Sequence, residues 1–334
     1  MSRKAKGTLP VSHRLCLPPQ EIVDLFKRVF INELYHGDEV ILRSTIQEVK
    51  ADLFNREYLL AFNTEPKRIA YCCRWSPSRA VAYASLFSYL EPVRKILQCE
   101  DSLPLEEQLA SLNIQESQRT ISEREVLCIG GGAGGELISV ASIFVPTVDF
   151  GAKYSKVRPL KLKQLNVQVI DIADWSSVVQ RLTEGISANW LFDHSADLNI
   201  TFKKGDVLKQ DAAELKLSKL NLITLLFTTN ELFTEHKADS IRFFQSLNAH
   251  CSSGCHLLIV ESAGSYSHIT VGTKKFPIQF LIDTLLLGKR GEESSGRWEL
   301  VDQNDSLWYR GDENVDYPLK LENMRFFYRL YRKK

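Results

Sequence analysis

Residues 18–34, PPQEIVDLFKRVFINEL, place Ile22, Leu25, Phe26, Val29 and Phe30 at the three- and four-residue spacing of one helical face. The two prolines suit the first turn of that helix. IQEVKADLFNREYLLAF and SRAVAYASLFSYLEPVRKIL predict two more amphipathic helices, the second opening after RWSP with Ser76 or Ser78 as its cap. Residues 100–124 are acidic and polar and read as a solvated linker. The pattern then changes. Apolar runs at 126–129, 167–170, 198–202 and 221–229 alternate with helical spacing at 134–144, which stops before Pro146, in DWSSVVQRL with Ser176 as cap, and at 237–250. CHLLIVES predicts a fifth strand, PIQFLIDTLLL a helix, and RWELV and MRFFYRLYR two final strands. Strand–helix alternation with short connections predicts a parallel sheet covered on both faces, with the wholly apolar 221–229 at its centre. The chain therefore divides into a mobile basic tail (1–14), a helical N-terminal appendage with linker (15–124) and an α/β domain (125–334).

Composition narrows the class of protein. The 334 residues are 44% hydrophobic and 25% charged, ordinary for a globular chain, and the net charge of +1 means that any basic surface must be local. Seven cysteines, an odd number, match no zinc spacing and read as reduced thiols inside a cell, with no metal site. No run approaches the ~20 apolar residues of a membrane span. The N-terminus lacks the apolar core of a secretory signal. Cytoplasm or nucleus is expected, and a monomer is favoured.

The richest chemistry lies in EVLCIGGGAGGEL, residues 125–137, where glycines crowd the end of the first strand. Closely spaced glycines allow a sharp turn and bring bare backbone N–H groups to a ligand. Gly130, Gly132 and Gly135 satisfy the dinucleotide fingerprint, and Gly130, Gly132 and Gly134 the looser S-adenosylmethionine pattern, with Gly131 between them. Asp171 ends the second strand, where a carboxylate can accept from both ribose hydroxyls of either cofactor. Asp174, three residues on, suits a turn or cap better. Gly205–Asp206 at the end of the third strand puts Asp206 beside an adenine edge, a feature of S-adenosylmethionine enzymes. SGRWELVDQNDSLWYR and PLKLENMRFFYRLYRKK predict antiparallel strands closing a parallel sheet. That is the seven-stranded, Rossmann-like architecture of class I methyltransferases, mostly parallel with an antiparallel C-terminal strand. One departure stands out: Cys128 occupies a position, two before the first glycine, where many such enzymes carry an acid.

RWSPSRAVAY, VLCIGGGAGGEL, VQVIDIADWSSVV, FTTNELF and PLKLENMRFFYRLYRK, in this order, resemble a fungal family of seven-strand methyltransferases that includes a 25S ribosomal RNA uridine-N3 enzyme. The resemblance spans residues 15–334. It implies S-adenosyl-L-methionine as donor and ribosomal RNA, free or in a pre-ribosomal particle, as acceptor.

Within that reading the fourth strand ends at the acceptor. Uridine N3 is mostly protonated at neutral pH, so Glu231 is the expected base and Asn230 its orienting partner. Phe227, Phe233, Trp308 and Tyr309 are the aromatics available to stack a flipped base. Arg74 and Arg79 of RWSPSRAVAY can each bind the methionine carboxylate or an RNA phosphate, and Arg74 is the one expected at the cofactor. KYSKVRPLKLK, MRFFYRLYRKK and the tail residues Arg3, Lys4 and Lys6 are local basic clusters suited to RNA. A protein or small-molecule methyltransferase on the same core, and a non-catalytic adaptor, are the competing readings.

Overall fold

Seven strands form the central sheet of a computed structural model that describes residues 7–100, 120–148, 161–264, 268–271, 274–288, 291 and 295–334. In chain order the strands are β1 (Thr120–Ile129), β2 (Lys161–Asp171), β3 (Leu198–Lys204), β4 (Leu222–Leu226), β5 (His256–Ser262), β6 (His268–Val271), β7 (Lys274–Pro277), β8 (Trp298–Tyr309) and β9 (Met324–Lys333). The sheet order is β3-β2-β1-β4-β5-β9-β8, and β6 and β7 form a separate two-stranded sheet. β1 to β5 run parallel, whereas β9 runs antiparallel to both β5 and β8. The expected closing pair is present. β4 is buried along its whole length, as its unbroken apolar run predicts.

Alternation along the strands splits the core in two. Val126, Cys128, Val167, Val169, Leu258 and Val260 face one layer of helices, and Leu127, Ile129, Ile170, Ile223, Leu257 and Ile259 the other. On the first face lie α1 (Pro19–Val29), α2 (Glu39–Phe54), the single turn α3 (Tyr58–Ala61), α4 (Glu65–Tyr89), α5 (Glu91–Leu97), α6 (Gly135–Phe144) and α7 (Ser176–Ile186). After β4 comes the short α8 (Thr229–Glu235), and α9 (Lys237–His250) and α10 (Ile278–Leu287) cover the second face.

Four expectations are corrected here. The sheet begins at residue 120 instead of 125. The N-terminal helices are no appendage: Phe26, Phe87 and Leu137 share one core with Val126, because α4 packs along α6. Residues 7–14 are not a loose tail, since Leu9 N–H donates to the Trp308 carbonyl at 2.8 Å and Trp308 N–H to the Gly7 carbonyl at 3.1 Å, which covers the free edge of β8. Finally, RWSP does not start a helix. α4 begins well before it, at Glu65, and carries Pro77 in its interior, while Ser76 and Ser78 bond to distant segments instead of capping. Arg3, Lys4 and Lys6, the linker residues 101–119 and most of KYSKVRPLKLK (153–160) lie outside the described residues. No helix among the described residues is long and apolar enough to cross a membrane.

Candidate active site

Parallel strands on either side of the β1/β4 junction open a crevice at their carboxyl ends, the place where such sheets bind ligands. Each of the first four strands contributes to it. Gly130 follows β1, Asp171 ends β2, Asp206 follows β3, and Phe227, Thr228 and Glu231 follow β4. The roof comes from the N-terminal helices through Arg79, one of the two arginines considered for the methionine carboxylate, and through Tyr58, Phe62 and Tyr71, which the sequence did not assign to a cofactor cleft.

The glycine loop is held by backbone and by Asp171. Gly130 turns with φ +73 and donates to the Ile170 carbonyl at 2.8 Å; a Cβ there would strike the Thr228 side chain. Gly132 N–H donates to Asp171 Oδ2 at 3.0 Å and Ala173 N–H to Oδ1 at 3.1 Å. A Cβ at Gly132 would enter the Trp175 ring. Gly131 sits above Glu136, whereas Gly134 (φ +81) and Gly135 press on Leu182 and on α4. The five glycines thus divide their duties: Gly130 lines the main cleft, and Gly134 and Gly135 mostly allow helix packing. Burial pushes the Asp171 carboxyl up to about 6, against the pull of the two backbone donors.

Asp206 lines the cleft at the end of β3; its Oδ1 accepts from Leu208 N–H at 3.0 Å and its Oδ2 pairs at 3.4 Å with the exposed Lys209 ammonium. Beside it Trp175 is buried, held between Phe62 and Tyr71 at centroid distances of 5.1 and 5.9 Å. Asp174 accepts from Ser176 N–H and Oγ and so starts α7, in place of the expected cap by Ser176 itself.

Beyond β4 the backbone is strained. Phe227 has φ +60, unusual for an aromatic residue, and is fixed by its N–H to the Val260 carbonyl at 2.8 Å. Glu261, at the end of β5, accepts from Thr229 Oγ1 at 3.0 Å and from Asn230 N–H at 3.1 Å, so it holds the start of α8. Glu231 is thereby directed into the cleft. Burial, then the negative charges of Glu261 and Asp171, push its carboxyl up to about 8, with Arg79 opposing. Asn230 does not line the cleft with it; only its backbone N–H is engaged.

Other expected residues fall elsewhere. Arg74 donates to the Lys320 carbonyl at 2.7 Å and pairs with Glu322 at 2.5 Å, and it does not line the cleft. Arg79, five positions on, lies on the inward face and reaches the cleft. Its guanidinium stands 5.4 Å from the Tyr71 and Phe227 ring centroids. Of the four stacking aromatics only Phe227 lines the cleft: Phe233 and Tyr309 are core, and Trp308 is flanked by Arg310 and Arg325 away from it. The MRFFYRLYRKK cluster is a sheet strand, with Arg329 buried on Asp305 at 2.6 Å and Arg332 paired to Glu299. Its aromatics are core, so it offers no stacking surface, while Arg325 and Lys334 stay exposed.

Comparison with known proteins places this crevice in context. A family model described as "Putative SAM-dependent methyltransferase" matches residues 26–332. The 25S rRNA (uridine(2843)-N(3))-methyltransferase of Saccharomyces cerevisiae is 50% identical over 346 aligned residues, covering 99% of this chain and 90% of that protein. Among solved structures, the N-methyltransferase NodS of Bradyrhizobium japonicum aligns with 13% identity and a TM-score of 0.32, over 68% of this chain and 94% of its own. The glycopeptide N-methyltransferase MtfA, solved with S-adenosylmethionine, aligns with 12% identity and a TM-score of 0.33, over 68% and 92%.

Proposed function

Because the chain belongs to this family of SAM-dependent methyltransferases, we propose that it transfers a methyl group to N3 of a uridine in large-subunit ribosomal RNA. The identity to the yeast uridine-N3 enzyme, sustained along nearly the whole of both chains, supports that acceptor.

The crevice suits the donor on this chain's own features. Gly130 and Gly132 hold a tight turn in which a Cβ would collide with Thr228 or Trp175, and Asp171 and Asp206 stand at the ends of adjacent strands. Asp171 takes the ribose hydroxyls with the lone pairs its two backbone donors leave free, and Asp206 takes the adenine amine. When bound, S-adenosylmethionine supplies a methyl group on a sulfonium that departs as a neutral thioether.

The acceptor chemistry rests on Glu231. Its carboxyl, raised to about 8, is matched to a weakly acidic N–H near neutral pH. Glu231 takes the N3 proton as the N3 lone pair forms the new N–C bond, and the electron pair of the breaking S–C bond stays on sulfur. Phe227 and Tyr71 give the uracil flat apolar walls, and Glu261 keeps Glu231 aligned by fixing the start of α8. The raised, cleft-facing Glu231 is the observation that carries this reading.

The test is transfer of labelled methyl from S-adenosylmethionine by the purified protein to total RNA and, in parallel, to total protein from cells lacking it. Label recovered as N3-methyluridine after digestion to nucleosides is the expected result. Label in protein alone would discard the RNA acceptor and keep the donor site.

A further inference from the structure

The crevice is acidic. Asp171, Asp206, Glu231 and Glu235 line it against Arg79 and His236, so it repels the phosphodiester backbone of an RNA whose base it receives. That backbone needs cations outside the crevice but on the same edge of the sheet. β8 runs antiparallel to β9, and β9 antiparallel to β5, so β8 ends and β9 begins at the carboxyl edge where β4 ends in Leu226. Trp308 and Arg325 are the cross-strand pair there, one step beyond the level at which Ser262 of β5 pairs with Phe326. From β4 to β8 is three strand spacings, roughly 14 Å.

Trp308 is built into this edge as a platform. Its strand neighbours Leu307 and Tyr309 point into the first core, so alternation turns Trp308 to the other face, where it is half-buried and belongs to neither core. Its backbone is held between β9 and the N-terminal segment, with the Leu9 N–H on its carbonyl and its own N–H on the Gly7 carbonyl. The guanidinium of Arg310 stands 4.6 Å from the Trp308 ring centroid and that of Arg325 5.9 Å. Both arginines are exposed and, among the described residues, neither has an ion pair. Arg325 spends only its Nε, on Ser306 Oγ at 2.9 Å. The neighbouring Asp312 is engaged by Asn314, whose N–H and side-chain amide donate to its Oδ1 at 2.9 and 2.8 Å. Stacking on the ring spares the arginines part of the rotamer entropy that a loose surface cation loses on binding.

We propose that Arg310 and Arg325, stacked on Trp308, clamp the phosphodiester backbone of the RNA strand that carries the target uridine. Each guanidinium offers its planar fork of N–H donors to phosphate oxygens, and Trp308 keeps the two forks together. The clamp grips nucleotides beside the uridine while the base itself enters the crevice. The proposal rests on the RNA reading of the function and adds the surface that holds the strand, which the acidic crevice does not supply.

Steady-state methylation over a range of salt concentrations tests it. The acceptors are large-subunit ribosomal RNA and large-subunit particles, both from cells lacking the protein. In the double variant Arg310→Gln, Arg325→Gln the KM for the acceptor is expected to rise about tenfold, and the slope of log KM against log salt to fall by about one per arginine. Its kcat and its binding of S-adenosylhomocysteine are expected to stay within about twofold, since neither arginine lines the crevice. Arg332, which pairs with His256 at the start of β5, and Lys95 beside it lie on the opposite edge of the sheet. The control Lys95→Gln, Arg332→Gln removes the same charge there and should leave KM and its salt slope as in the native protein. An unchanged KM in the first variant, or an equal rise in the control, overturns the clamp. So does a fall in kcat with KM unchanged, because the pair would then act through the fold. Should the double variant fail to fold, Arg310→Gln alone decides by the same loss of slope. If the native protein methylates neither acceptor, the RNA reading fails and the clamp with it.

Discussion

The Tyr317 hydroxyl donates at 2.6 Å to the carbonyl of Cys73, the residue four positions before Pro77 in α4. Proline has no N–H, so that carbonyl loses its helical donor, and the β8–β9 connection supplies another. The same connection is fastened nearby, Glu322 N–H donating to Ser78 Oγ at 2.9 Å and Arg74 donating to the Lys320 carbonyl. Tyr317→Phe should cost about 1–3 kcal/mol, the penalty for stranding a buried acceptor. In a Pro77→Ala background the restored amide should make the same change markedly cheaper. Urea unfolding of the four proteins measures the coupling. Equal costs in both backgrounds would show that the hydroxyl is not replacing the missing donor.

Glu231→Gln should slow single-turnover methylation by about 10²–10⁴-fold, the usual worth of a positioned base. Binding of S-adenosylhomocysteine should stay within threefold. In the native protein the rate should climb with pH through about 8, where the raised carboxyl is half ionised, and level off about one unit higher. The glutamine variant should lose that limb. Asn230→Ala, by contrast, should change the rate less than threefold, because only the Asn230 backbone serves the site. A native profile without the rise would remove Glu231 as the base.

Two glycine substitutions separate strain from site. Gly254 has φ +86 with nothing near its missing Cβ, so Gly254→Ala should cost roughly 1 kcal/mol of stability and nothing in binding. Gly132→Ala should force Trp175 and the Asp171 carboxylate aside and weaken S-adenosylhomocysteine by more than tenfold. Calorimetry on both variants checks the contrast. Unaltered binding in Gly132→Ala would place the ligand elsewhere.

Strand order, the glycine loop and the three acids after β2, β3 and β4 were legible because each is a local pattern: an apolar run, then a small or acidic residue at its carboxyl end. Asp171 and Asp206 needed no tertiary knowledge to be found. Glu136 did, and so did the choice between Arg74 and Arg79. Arg74 and Arg79 belong to one short segment, and only the rotation of α4 against α6 decides which faces the cleft. The chain reads as breaking at Pro77 because local propensity disfavours an interior proline, and Tyr317, 240 residues away in the chain, overrides it. Glu136 resembles an ordinary first-turn acid until the fold sets it beside Cys128. Leu9 could not be distinguished from tail without the β8 edge it covers.

The buried carboxyls should also shape stability. Asp171, Glu136 and Glu231 ionise at about 6, 7 and 8 in the folded chain, above the ordinary values of 3.8 and 4.5. The folded state therefore keeps protons that the unfolded chain has already released. Their contribution is complete below pH 4 and is lost as pH rises through 6, 7 and 8. Half-buried His13 and His256, whose values are lowered from 6.5, act in the opposite sense, but only below neutrality. From pH 7 to 8.5 the melting temperature of the ligand-free protein should accordingly fall by a few degrees, each retained proton costing about 1.4 kcal/mol per pH unit. Glu231→Gln, which cannot ionise, should melt with a shallower pH dependence over the same range. A native melting temperature that holds or rises across it would mean that these carboxyls are already ionised within the fold, and Glu231 would then be too weak a base for the acceptor.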